Sequence, residues 1–118
     1  MFASTRLGGS SGWDNVSLFS SPDLFGPWIA HPQDPVLIDV RASRPAGGMF
    51  ERDGRLFRPA QDCSGGYGAA LSLCEVDRLD RTGFAQTLRD VIQPAVLSSR
   101  GFHTLNWAAG IEVIDRLA

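Results

Sequence analysis

Asp53-Gly54 sits between two runs that alternate in character, Met49-Phe50-Glu51-Arg52 and Arg55-Leu56-Phe57-Arg58. No other short signal in the chain limits the backbone so narrowly, because Asp-Gly flanked in this way calls for a two-residue type I′ turn between antiparallel strands. A second unit of the same kind ends the sequence. There "FHTLNWA", then Ala109-Gly110, then "IEVIDRL" reads as a hairpin whose closing strand is β-branched at Ile111, Val113 and Ile114. Between the two hairpins, "YGAALSLCEV" sets Ala70, Ser72 and Cys74 on one face and Ala69, Leu71 and Leu73 on the other. Val16 and Leu18 alternate with polar neighbours, and "VLIDV" is a short apolar strand. "FAQTLRDVI" also fits a helical face through Phe84, Leu88 and Val91, and is read as a strand. "SPDLFGPW" and "HPQDP" are turns or irregular stretches, because proline and glycine punctuate them. The period is therefore two. It gives about eight short strands with a turn signal roughly every 8 to 14 residues, an all-β pattern of sandwich, barrel or propeller type. By spacing, the strands divide into two groups of four.

The chain has 118 residues, 43% hydrophobic and 20% charged, which suits one small globular domain. A formal net charge of -2 argues against a nucleic-acid partner. No apolar run approaches the roughly 20 residues of a transmembrane segment. "MFASTRLGGSSG" lacks the layout of a secretory signal, so cytoplasm is the default location. If Met1 is not the natural start, an upstream signal or N-terminal part lies outside this sequence. "GGSSG" at residues 8–12 has neither the lysine nor the helix of a phosphate loop. Residues 1–12 are accordingly read as a flexible or incomplete strand, and 13–118 as the folded part. Cys63 and Cys74 are too few for a disulfide framework and lack zinc-ligand spacing, so both are read as small semi-buried hydrophobes. No nucleophile elbow is read in the sequence, and His-Glu-x-x-His and Cys-x-x-Cys are missing. All 11 basic residues are arginine, whose planar fork suits carboxylates and hydroxyl-rich ligands.

Arg-Pro-Ala occurs twice, at 44–46 and 58–60. Each proline fixes φ and removes a backbone donor, so a strand is expected to end or meet an edge there, with Arg44 and Arg58 on stiff backbone. The surrounding phrases "LFGPW", "HPQDPV", "DVRASRPAG", "DGRLFRPAQDCSGGYG", "GFHTLN" and "VID" run from about residue 13 to residue 115. In them the chain resembles the N-terminal domain of glucosamine inositolphosphorylceramide transferases and its bacterial relatives. That resemblance implies a five-bladed β-propeller of the arabinanase, levansucrase and invertase kind (glycoside hydrolase family 43-like), with blades of four antiparallel strands. A full ring needs about two to three times this length, so the chain would hold about two blades, a fragment of the ring. In the plant-type relatives sugar transfer belongs to a separate C-terminal glycosyltransferase domain, and nothing in this sequence resembles it. The carboxylates of the related glycosidases are spread over earlier blades. The expected role is therefore binding of a sugar or glycolipid headgroup, without catalysis by this chain alone and with no cofactor required.

Within such a ring, Arg44 and Arg58 would point toward one central pocket. Gln61, Asp62 and Tyr67 would follow on the next loop, to grip hydroxyls and stack on a sugar ring. Each has a plainer reading. The arginines could pair with Glu51, Asp39 or Asp62, and Asp62 could cap a turn before "SGG". Glu51, near a hairpin tip, is expected to face solvent. His103 resembles in position a final-blade histidine that holds an axial cation in related hydrolases. His31 is read as a loop residue, and Trp28 and Trp107 as packing groups. An enzymatic alternative has Asp62 as acid, base or pKa modulator, with Asp39 as the other carboxylate, in a glycoside hydrolase or glycosyltransferase site completed by missing blades or a partner chain. A third alternative is purely structural. Two isolated blades would also leave a face and edges uncovered, which predicts self-association.

Overall fold

The computed structural model describes residues 1–118 and contains no α-helix. Eleven strand segments follow in chain order: β1 (Phe2–Ala3), β2 (Asn15–Ser20), β3 (Ile29–Ala30), β4 (Leu37–Ile38), β5 (Arg44–Pro45), β6 (Phe50–Arg52), β7 (Arg55–Asp62), β8 (Ala70–Leu79), β9 (Phe84–Ile92), β10 (Gly101–Ala108) and β11 (Ile111–Leu117). A single 3₁₀ turn spans Pro94–Leu97. All pairings are antiparallel and fall into three sheets, none closed into a barrel. The first is built on β2, with β1, β3 and β4 against it. The central sheet runs β5/β6–β7–β8–β9, and the third is the β10–β11 hairpin. The count exceeds eight because proline and glycine cut the outer strands into short pieces.

Both expected hairpins are present. Asp53 and Gly54 take φ of 52° and 71° between Arg52 and Arg55, which face each other across the ladder. Ala109 and Gly110 take 51° and 80° between Ala108 and Ile111. Positive φ at both central residues is the type I′ requirement. "FAQTLRDVI" is strand β9 along its whole length, so pairing with β8 overrides the weak helical period.

The alternation read in residues 69–74 separates two packing layers. Leu71 and Leu73 face the hairpin side, where Ala46, Phe50, Leu71, Phe102 and Leu105 form the buried core, flanked by Phe57, Trp107 and Ile114. Burying each large side chain there contributes about 1.5–3 kcal/mol. Ala70, Ser72 and Cys74 face the other way, beside Ala60 and Arg58. Both cysteines are free and buried.

Pro59 departs from the expectation that a proline ends its strand. It lies inside β7, opposite Leu73 of β8. Its carbonyl accepts from Ala46 N at 3.1 Å, so the side of Pro59 that lacks an N–H faces Ala46 as well. Ala46 O is thereby left free, and it accepts from Leu105 N at 2.8 Å. The chain leaves β5 at Gly47, whose φ is 129° and where a Cβ would lie 2.0 Å from Leu105 O. Glycine is required there on both counts.

Candidate functional site

Arg44 and Arg58 do not share a pocket. In β7, Gln61 and Arg58 are three residues apart and so project to opposite faces. Arg44 pairs with Gln61 across the ladder and shares its face. Arg58 is 1% exposed. It donates from Nε to Gln86 Oε1 at 2.8 Å, from Nη1 to Ser43 O at 3.3 Å and from Nη2 to Ala42 O, and its guanidinium lies 5.2 Å from the Phe2 ring centre. Burial lowers its pKa from the usual arginine value. Arg58 thus ties the chain segment before β5 to the central sheet. No carboxylate faces it, and carbonyl dipoles carry the compensation.

Arg44 stands in a different setting. Its guanidinium lies 4.9 Å over the centre of the Tyr67 ring. Tyr67 is 49% exposed, and its ring centre lies 5.7 Å from that of Trp13 and 5.3 Å from that of His103. Trp13 precedes β2, Tyr67 sits in the β7–β8 loop and His103 belongs to β10, so all three sheets contribute to one aromatic cluster. Gln61 braces it by donating from Nε2 to the His103 carbonyl at 2.9 Å.

Local backbone explains why these side chains converge. Gly68, at φ 68°, brings the Tyr67 loop against β10, where its carbonyl accepts from Phe102 N at 2.9 Å. A Cβ on Gly68 would meet Phe102 O at 2.6 Å. The β10–β11 register slips between Phe102 and Thr104, leaving His103 without a ladder partner. Such a bulge re-aims the side chain it carries. His103 Nδ1 lies 3.3 Å from Asp115 Oδ2. A cation at His103 would therefore find one imidazole and one carboxylate, and no group of three or more His, Cys, Asp or Glu side chains converges in the chain.

The acidic candidates lie apart from this cluster. Asp62 projects to the face opposite Gln61 and accepts from Ser64 N at 2.9 Å and Ser64 Oγ at 2.6 Å, a turn cap. Asp39 is engaged by Arg41, whose side-chain hydrogen bonds hold the carboxyl below the usual range. No hydrogen bond or ion pair links either to Arg44, Tyr67 or His103. Glu51 is exposed, as expected. His31 is buried in a turn, accepting from Gln33 N and bonding through Nε2 to Asp80 O. Trp107 packs on the core beside Phe50, whereas Trp28 is 41% exposed.

A concavity of 570 Å³ lies elsewhere, between Phe2, Trp28, Ile29, Met49 and Leu79. Of its polar side chains, Asp80 is committed to Arg78 and Thr82 and His31 to Gln33 N and Asp80 O, while Arg81 is exposed and unpaired. The Tyr67 cluster, where an unpaired cation lies over a half-exposed ring, is the better candidate for recognition. Trp13 and Asp115 were not singled out from sequence. Asp115 lies within the "VID" phrase, while Trp13 directly follows a glycine-serine stretch that suggests only flexibility.

Comparison with known proteins decides the family. The family described as "Glucosamine inositolphosphorylceramide transferase 1, N-terminal" matches residues 2–107. The chain belongs to this family. Two curated relatives are named glucosamine inositolphosphorylceramide transferase 1. One, from Oryza sativa subsp. japonica, is 32% identical over 73 residues, which is 60% of this chain and 10% of the relative. The other, from Oryza sativa subsp. indica, is 35% identical over 63 residues, 52% of this chain and 8% of the relative. The matched part of the chain thus spans about a tenth of those proteins' length. No solved structure matches. Membership in the glucosamine inositolphosphorylceramide transferase N-terminal family covers every residue of the Tyr67 cluster except Asp115.

Proposed function

We propose that this chain is a carbohydrate-binding module, taking a sugar or glycolipid headgroup at the Tyr67 cluster and performing no catalysis on its own. One observation carries the reading: a half-exposed tyrosine ring, close to Trp13 and His103, lies under a guanidinium with no hydrogen-bond or ion-pair partner. Rings of this kind stack on apolar sugar faces, while arginine and backbone groups take hydroxyls. The relatives' name, glucosamine inositolphosphorylceramide transferase 1, favours the same ligand class. In this reading the three sheets are parts of wedges around a shared hub, about two blades of a five-bladed ring. The hub is where Trp13, Arg44, Tyr67 and His103 meet. Arg58 leaves the ligand set and serves as a structural ion. Gln61 acts as a brace.

A catalytic reading would have to rest on the His103–Asp115 pair, since Asp39 and Asp62 are both engaged elsewhere. The test is a glycan array probed with the chain and with Tyr67→Ala. The expected result is retention of a subset of sugars by the wild type and about tenfold weaker retention by the variant, which is about 1.4 kcal/mol. A blank array for the wild type rejects the proposal.

A further inference from the structure

We infer that the Tyr67 cluster selects sugars bearing a negative charge, a phosphomonoester or a carboxylate, and that Arg44 is the selecting group. This rests on the carbohydrate reading above and sharpens it. Eight of the eleven arginines have a hydrogen-bond or ion-pair partner. Arg41, Arg52, Arg55, Arg78 and Arg89 pair with carboxylates. Arg58, Arg100 and Arg116 donate to backbone carbonyls. Arg6 and Arg81 have neither kind of partner, and both are exposed. Arg44 alone is partly withdrawn from water and still forms no hydrogen bond or ion pair. Its contact with Tyr67 uses the face of the guanidinium or its rim against the ring and satisfies none of the five N–H donors.

Neighbouring acceptors are already committed. Asp115 faces His103, Asp14 accepts from Asn15 Nδ2, Asp62 caps its own turn on the far face, and Gln61 Oε1 faces Cys63 Sγ. Asp115, the carboxylate of the cluster, is exposed and meets His103 through Oδ2, and none of these acceptors bonds to Arg44, whose donors stay unfilled. A ligand that completes it brings acceptor oxygens and negative charge. A half-desolvated guanidinium forms charge-assisted bonds about twice as strong as neutral ones, and its fork matches a phosphate or carboxylate edge. The adjoining Tyr67 and Trp13 rings require that the charge be carried on a body able to stack.

The experiment is a calorimetric titration of the full chain with glucose 1-phosphate, glucuronate, glucose and inorganic phosphate. Both charged sugars should bind at least about tenfold more tightly than glucose, and glucose 1-phosphate about tenfold more tightly than inorganic phosphate. Arg44→Gln should abolish the preference for charge while leaving the melting temperature unchanged. Arg44→Lys, which keeps the charge and loses the fork, should retain part of that preference, and it carries the test if Arg44→Gln melts early. Equal binding of glucose and glucose 1-phosphate, unmoved by Arg44→Gln, overturns charge selection and leaves the carbohydrate reading intact. Inorganic phosphate bound as tightly as glucose 1-phosphate overturns the demand for a stacking body. Failure of both charged sugars to bind overturns charge selection, while the carbohydrate reading stands or falls separately on the glycan array.

Discussion

Arg58 and Arg44 show how one residue type in one tripeptide takes two fates. Arg58 is a buried cation satisfied by the carbonyls of Ala42 and Ser43 and by Gln86. Removing it takes a donor from each of those acceptors in a closed space, leaving only Ala42 O a second one, from Gln86 Nε2. Arg58→Ala is therefore expected to destabilise the fold by about 3–5 kcal/mol, read as a shift of the urea midpoint. Arg44→Ala should change stability by less than about 1 kcal/mol, since only a partly exposed cation–π contact is lost. The acidic residues give a prediction of opposite character. Arg78, then the backbone and hydroxyl of Thr82, hold the Asp80 carboxyl well below its ordinary range, and Arg41 lowers Asp39. A depressed folded pKa stabilises the fold above the unfolded value of about 3.9, and that contribution is lost as pH falls through the folded one. The melting temperature should accordingly drop as pH is lowered below about 4. Asp80→Ala should make that drop shallower, as differential scanning calorimetry would show.

At the scale of elements, two glycines hold β10 against the central sheet. Gly68 and Gly47 both take positive φ, and a Cβ at either would collide with a β10 carbonyl. Gly68→Ala should cost of order 2–3 kcal/mol and push the Tyr67 loop away from His103, quenching any sugar binding while β8 and β9 remain paired. Chemical shifts of Phe102 and His103 against those of β9 would report that split. The hairpins were legible because Asp53-Gly54 and Ala109-Gly110 act locally, through φ alone. The faces of β8 were legible because alternation needs no knowledge of the partner. The common pocket for Arg44 and Arg58 was not, and the reason is specific. Their tripeptides are identical, but Arg44 shares a face with Gln61, and Arg58 lies an odd number of residues from Gln61 along the same strand. Register across strands, absent from the one-dimensional pattern, reverses the direction of the second arginine. Trp13 escaped for a similar cause, since its partner Tyr67 is more than fifty residues away and no local signal joins them.

For the molecule as a whole, β11 pairs on one side only, and Ile111, Val113 and Leu117 are 66%, 59% and 50% exposed. An unpaired edge with an apolar face invites a further strand. The chain made alone should show concentration-dependent association in sedimentation velocity, and Val113→Lys should reduce it. Several polar links join the central sheet to β10, and one of them depends on the missing hydrogen of Pro59. A standard amide at that position would reciprocate the bond from Ala46 and compete with Leu105 for a single oxygen. Pro59→Ala should then speed deuterium uptake at Leu105 with little change in the strands on either side. An imino acid inside a ladder is usually counted as a defect, yet here it works as a reserved seat, keeping one acceptor vacant until a distant segment arrives to claim it.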